Sequence, residues 1–205
     1  MKVLVTGFAP FSDDTINPSY EAVRRLPARI VSGGGALDVV TAELPTSFAR
    51  APRKLRALIA RVQPEIVLCV GLAAERAAIC VERIAVNLCD ARIADNDGAQ
   101  PRDKPVVARA PAAYFSTLPV TAIVQALVEG GLRAEQSLSA GAFVCNHVFF
   151  GLMHATAKRP RMRAGFVHVP TLPLERTARE AQLAALVRAL TIVLHQTSAH
   201  MRSRL

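Results

Sequence analysis

The run EIVLCVG, residues 65–71, is the most apolar in the chain, and its reading decides the fold. Glu65 to Val70, closed by Gly71, reads as a central strand covered on both faces, because a half-exposed strand would alternate polar and apolar positions. Upstream, Phe48, Leu55, Leu58, Ile59 and Val62 recur at helical spacing, and before them Leu37 to Leu44 reads as a strand that follows a flexible Ser32–Gly35 turn. A strand, its crossover helix and a buried strand make one parallel unit. The same pattern opens the chain: Lys2 to Thr6 (KVLVT) reads as a strand ended by Gly7, and Asn17-Pro18 supplies the N-cap and first-turn proline of a helix running to about Leu26. Downstream, Ile79 to Asn87 reads as a strand, Val120 to Val128 as a helix stopped at Gly130-Gly131, and Arg163 to Val169 as a strand ending at Pro170. Between them Ser137 to His154 runs from a small-residue turn into an apolar helix, and a last helix carries Leu183, Leu186, Val187, Leu190, Val193 and Leu194 on one face. Strand and helix alternate, so the expectation is a three-layer α/β/α sandwich with a largely parallel, twisted sheet. The linkers leave no room for a second unit, and residues 1–205 are expected to form a single domain.

With 51% hydrophobic residues among 205, the chain can bury a sizeable core without staples. No apolar run approaches the roughly 18 residues of a membrane span. The N-terminus MKVLVTGFAP lacks the longer apolar stretch and cleavage site of a signal peptide, so a cytoplasmic protein is expected, with no membrane partner. The four cysteines, at 69, 80, 89 and 145, form no CxxC pair, and free thiols are the expectation. Cys145, His147 and His154 are the one close Cys/His group, but they would have to gather ligands from around a single helix, so no metal site is expected. The polar, turn-rich Asp90 to Pro101 reads as a surface loop whose spacing does not fit an EF-hand. A net charge of +9 attracts phosphates, yet the arginines are scattered and no basic run is interleaved with stacking residues. The densest patch, Lys158 to Arg163, reads as a solvated turn, and no nucleic-acid partner is expected.

Chemistry concentrates at three places. Cys145 falls at the start of the apolar helix, where unpaired N–H groups and the positive end of the dipole favour a thiolate; the alternative is a small buried hydrophobe. Glu82 stands on an otherwise apolar strand face with Cys80, Ile84 and Val86, where a carboxylate is costly unless a cation or donor meets it. It could pair with an arginine such as Arg76, or orient a catalytic histidine. His168 lies near the end of the next strand and is better placed than His147, which points to another side of the cysteine's own helix. Thiol catalysis asks for this set: a sulfur nucleophile, an imidazole to move its proton, and a third group to fix the imidazole tautomer. Phe8, Pro10 and Phe11 follow the first strand at the edge where open α/β sheets bind ligands, or are core rings under a loop.

The motifs TGFAPF (6–11), INPS (16–19), VERIAVN (81–87), DARIADNDGAQP (90–101), SAGAFVCNHVFFGLMH (139–154) and GFVHVP (165–170) occur in that order. Over about residues 3 to 195 the chain thereby resembles the pyrrolidone-carboxylate peptidases, or pyroglutamyl-peptidases type I. The resemblance implies a cysteine exopeptidase that removes N-terminal 5-oxoproline through a thioester, with Cys145 as nucleophile, His168 as general base and acid, and Glu82 as the group orienting it. It implies walls from Phe8 and Phe11 with Phe143 and Val144 beside the nucleophile, Asn17, Thr46 and Ile93 near the pocket, and Arg92 near the thiolate and developing oxyanion. It implies no cofactor, and a homo-oligomer, dimer or tetramer. Two departures stand out. The family's PFGG is here PFSDD, so the first loop is expected to bend differently without its glycines. Its glycine-rich turn is here GLAAER (71–76), stiffer and acidic, which leaves open a related thiol amidase with a different small acyl substrate; the basic surface leaves open a non-catalytic binding protein.

Overall fold

The computed structural model describes residues 1–12, 14–32 and 35–203. Seven strands form the main sheet: β1 (Lys2–Phe8), β2 (Arg29–Ser32), β3 (Gly35–Leu44), β4 (Ile66–Leu72), β5 (Ile79–Glu82), β8 (Ala134–Ser137) and β9 (Arg163–Val169). Their order is β2-β3-β1-β4-β9-β5-β8; β2 runs antiparallel to β3 and β5 antiparallel to β9, and every other pairing is parallel. β4, the run that anchors the sequence reading, lies at the centre with all but its last residue buried. Helices α1 (Pro18–Val23), α3 (Val120–Glu129) and α5 (Arg176–Arg202) cover one face. The other face carries α2 (Arg50–Val62) and α4 (Val144–Thr156) over a separate apolar layer that includes Phe149, Phe150 and Phe166. Two cores on opposite faces of a largely parallel sheet make the expected α/β/α sandwich.

Several details differ from the sequence reading. Gly7 and Gly71 do not end their strands. β1 continues to Phe8 and β4 to Leu72, and each glycine is required by a close approach: a Cβ on Gly7 would fall 2.5 Å from the backbone of Tyr20 in α1. The segment 79–87 is not one strand, because the chain leaves the main sheet at Arg83 and β6 (Ile84–Val86) pairs with β7 (Ala113–Phe115) in a small antiparallel ribbon. β2, β7 and β8 are short and carry no apolar alternation, so periodicity does not reveal them. Gly33 and Gly34 of the expected flexible turn, and Asp13 of the substituted first loop, lie outside the described residues. The Asn17-Pro18 helix start is as read: the Asn17 side chain accepts from the Ser19 N–H, and Pro18 occupies the first turn.

Candidate active site

α4 begins without a side-chain cap, and Cys145 is its second residue. Of the four cysteines it alone is partly exposed; Cys69, Cys80 and Cys89 are buried. The helix start is held from the next residue. Asn146, fully buried, accepts from the Val86 N–H (3.0 Å) and donates to the carbonyls of Val86 (2.9 Å) and Leu88 (3.0 Å), stitching the first turn of α4 to β6. Burial, with the Glu82 carboxylate and Cys69 adding to it, pushes the Cys145 thiol up to about 12, so the pull of the helix dipole is outweighed and the resting group is a thiol.

The register of the sheet brings an imidazole and a carboxylate to the face that carries Cys145. Gly71 of β4 and His168 of β9 are direct partners, so their side-chain directions lie on the same face, and a Cβ built on Gly71 would fall 2.8 Å from the Cys145 sulfur and 2.8 Å from the Phe166 ring. Cys145 thus packs over Gly71, whose register partner is His168. Cys80 pairs with His168 across the antiparallel β5–β9 contact, which carries Glu82, two residues on, to the same face. There the His168 Nδ1 and Glu82 Oε1 are 2.7 Å apart, both residues buried. With Nδ1–H donating to the carboxylate, Nε2 is the ring atom left to receive a proton. Gly71→Ala is accordingly expected to displace the sulfur and lower kcat by about 100-fold, the scale of a misplacement near 1 Å, in a protein that still shows cooperative unfolding. An unchanged kcat would mean that the sulfur has room that this contact denies it.

Glu82 meets both an arginine and a histidine. Arg76 Nη1 also donates to Oε1 (3.0 Å), and the same guanidinium reaches Ser137 Oγ (2.9 Å) and the Ser139 carbonyl (2.8 Å). One arginine thereby ties the carboxylate to the turn that leads into α4. Glu82 is completely buried: a cation and an imidazole share Oε1, while Oε2 is buried without a hydrogen-bond partner among the described residues.

Aromatic residues gather around Phe143, two residues before Cys145. Phe143, immediately before α4, lies 5.2 Å from Phe11 and 5.3 Å, edge-on, from Phe48 between ring centroids. Phe8 is buried behind them against Phe166, and Val144 is fully buried. Asn17 and Thr46 hold the first loop: Asn17 Nδ2 (3.1 Å) and Thr46 Oγ1 (3.0 Å) both donate to the Ala9 carbonyl, while Asn96 Nδ2 donates to that of Pro10 (2.9 Å). Arg92 and Ile93 remain exposed on the 90–101 loop, away from any hydrogen bond with the three central residues. That loop is organised by Asp95, buried, whose carboxylate accepts from the N–H groups of Phe48, Asp97 and Ala99. Sequence reasoning missed Gly71, Asn146, Phe48 and Asp95; the only available signals were a glycine inside an apolar run and an amide inside an apolar helix.

The two substituted loops behave differently. Ser12 takes φ 56°, the left-handed region that favours glycine, so the first loop asks of serine what glycine adopts freely. The turn at 73–76 closes through the Arg76 N–H to the Ala73 carbonyl (3.0 Å) with no positive φ, so Ala74 and Glu75 fit it without strain.

His147 turns away from Cys145, as its position on the helix requires, and its Nδ1 sits 2.9 Å from Cys89 Sγ with Phe48 edge-on. Burial, and secondarily Arg56, lowers its pKa to about 4 from 6.5. The unfolded chain binds the extra proton below pH 6.5, so this ring's stabilising contribution is present above that pH and is lost as the pH falls toward 4. Between pH 7 and pH 4 the loss is expected to reach about 3 kcal/mol in urea unfolding. His147→Asn should remove that part of the pH dependence; an identical pH dependence in the variant would show that His147 contributes nothing to it. Among the described residues, no three His, Cys, Asp or Glu side chains gather as metal ligands.

The family model described as pyroglutamyl peptidase matches residues 1–199. The chain is 50% identical over 181 residues to pyrrolidone-carboxylate peptidase 1 of Ralstonia nicotianae, covering 88% of this chain and 83% of that one. Against the pyrrolidone-carboxylate peptidase of Gloeobacter violaceus the identity is 47% over 199 residues, 95% of each chain. The crystal structure of Bacillus amyloliquefaciens pyroglutamyl peptidase I superposes with a TM-score of 0.90 at 40% identity, with 98% of each chain covered. The pyrrolidone carboxyl peptidase of Thermococcus litoralis gives a TM-score of 0.90 at 35% identity, covering all of this chain and 96% of that one.

Proposed function

The chain belongs to the pyroglutamyl peptidase family, and on that premise we propose that Cys145, His168 and Glu82 carry the removal of an N-terminal 5-oxoprolyl residue by a cysteine peptidase. The observation that supports this assignment most is the buried Glu82–His168 hydrogen bond, set on the same sheet face as the one partly exposed cysteine. Nε2 of His168 takes the thiol proton as the sulfur attacks the 5-oxoprolyl carbonyl. The tetrahedral intermediate collapses to a thioester while the imidazolium returns its proton to the leaving amine, and water, deprotonated by the same nitrogen, hydrolyses the thioester and restores the thiol. Glu82 holds the ring tautomer that makes Nε2 the acceptor throughout.

The substrate's blocked amino end is a flat, uncharged lactam, which suits apolar walls. Phe11 and Phe143 form these walls in this reading, backed by Phe8 and Val144, with Ile93 from the neighbouring loop. Asn17 and Thr46 act by fixing the loop that carries Phe11, and Arg92 supplies positive charge for the oxyanion. One catalytic domain of this kind needs no metal or cofactor. Free cysteines support a reducing, cytoplasmic setting, and the exposed Leu138 and Val128 support a homo-oligomer.

Incubation with a pyroglutamyl-peptide is expected to release free 5-oxoproline, and one equivalent of iodoacetamide should label Cys145 and stop the reaction, with substrate protecting. Absence of 5-oxoproline, or labelling of another cysteine with activity intact, contradicts the assignment.

A further inference from the structure

The mechanism accounts for the 5-oxoprolyl side of the scissile bond and leaves the peptide side without a site. Two segments leave the sheet side by side just past Gly71, which packs under Cys145, and its register partner His168. β4 runs from Gly71 into the 73–77 turn, β9 runs from His168 into 170–174, and the Ala73 N–H donates to the Val169 carbonyl (3.0 Å) where they part. Between them lies a groove of about 400 Å³, with Glu75, Arg76 and Ala77 on one wall, Thr171 and Leu172 on the other, and Gln182 of α5 adjoining. Both walls are held in place. The turn closes on its own backbone hydrogen bond, and Arg179 donates from Nε to the Pro173 carbonyl (3.1 Å) and from Nη2 to that of Leu174 (2.8 Å).

The charges lining this groove are unequal. Arg76 is committed to Glu82, Ser137 and Ser139, so its positive charge is answered from inside the protein. Glu75 is exposed and, among the described residues, makes neither ion pair nor hydrogen bond, which leaves a carboxylate as the unanswered charge of the groove. In the peptidase reading His168 hands its proton to the leaving amine, and two residues past it the chain after β9 forms one wall of the groove, while Arg76 on the other wall is hydrogen-bonded to the carboxylate that holds His168.

Resting on the peptidase reading above, we propose that this groove receives the first residues of the departing peptide and that Glu75 favours a lysine or arginine there. The contact is solvent-exposed, so its effect is bounded by the worth of an exposed ion pair, about two- to five-fold.

The test uses the full chain, its Glu75→Gln and Glu75→Lys variants, and the amides of pyroglutamyl-lysine, pyroglutamyl-alanine and pyroglutamyl-glutamate. At low ionic strength the native protein is expected to show about two- to five-fold higher kcat/KM for the lysine amide than for the alanine amide, carried by KM and shrinking with added salt. Glu75→Gln should bring that ratio to one, and Glu75→Lys should turn the preference toward the glutamate amide. An equal lysine-to-alanine ratio in the native and Glu75→Gln proteins overturns the groove assignment while leaving the peptidase reading intact. Failure to release 5-oxoproline from any of the three amides overturns the peptidase reading and the groove with it.

Discussion

Cys145→Ser is expected to lower kcat for 5-oxoproline release by more than about 1000-fold while leaving the thermal midpoint within a few degrees of the native value. The sulfur is polarizable and intrinsically nucleophilic, and it packs over Gly71, the register partner of His168, even though burial holds the thiol near 12. A serine hydroxyl in the same place is a far weaker acid, and His168 with Glu82 would have to extract its proton with no gain in driving force. The fold has no reason to notice the change, because the serine oxygen is smaller than sulfur and relaxes the contact over Gly71. Comparison of turnover and thermal unfolding on the same preparations separates the two. A serine protein that retained more than a few per cent of native turnover would remove Cys145 from the nucleophile's role.

The second large effect belongs to Glu82→Gln, for which we expect a fall in kcat of about 1000-fold with KM little changed. Oε1 of Glu82 receives both His168 Nδ1 and Arg76 Nη1, and an amide cannot serve both without loss. If its NH2 group faces His168, Nδ1 must become the acceptor, Nε2 then carries the proton, and the thiol has nowhere to deliver its own. If its carbonyl faces His168, the tautomer survives, but the Arg76 charge beside the imidazole is no longer cancelled as an imidazolium forms. Iodoacetamide labelling of Cys145 should slow in parallel, since it needs the same proton transfer. Ser137→Ala removes a different partner of Arg76 and leaves the carboxylate in place, so it should cost far less. A Glu82→Gln protein with native kcat and native alkylation rate would reduce Glu82 to an ion-pair partner of Arg76.

Much of this was legible without coordinates because it is written in local chemistry. EIVLCV could be read as a doubly buried strand since no polar residue interrupts it after Glu65, and Asn17-Pro18 as a helix start since a cap and a fixed φ act within a few residues. Glu82 was conspicuous because a carboxylate among apolar neighbours must be met by something, and the two candidates for that partner, an arginine and a histidine, share one oxygen. The departures from the family's glycines could be seen as well, but not their cost: Ser12 occupies a left-handed conformation, while Ala74 and Glu75 sit in a turn that needs none.

By itself, then, the amino-acid order determined the α/β class and the central strand and offered Cys145, His168 and Glu82 as candidates, because periodicity, capping and the penalty for burying charge all act over short stretches of chain. Only the tertiary structure decided what Gly71 is for, that β5 turns antiparallel to bring Glu82 beside His168, that Arg76 reaches Ser137, 61 residues on, and that Asn146 ties the start of α4 to Val86, 60 residues back in the chain. Those are matters of register and close approach between segments far apart in the chain. A single strand carries no record of which residue will lie opposite it.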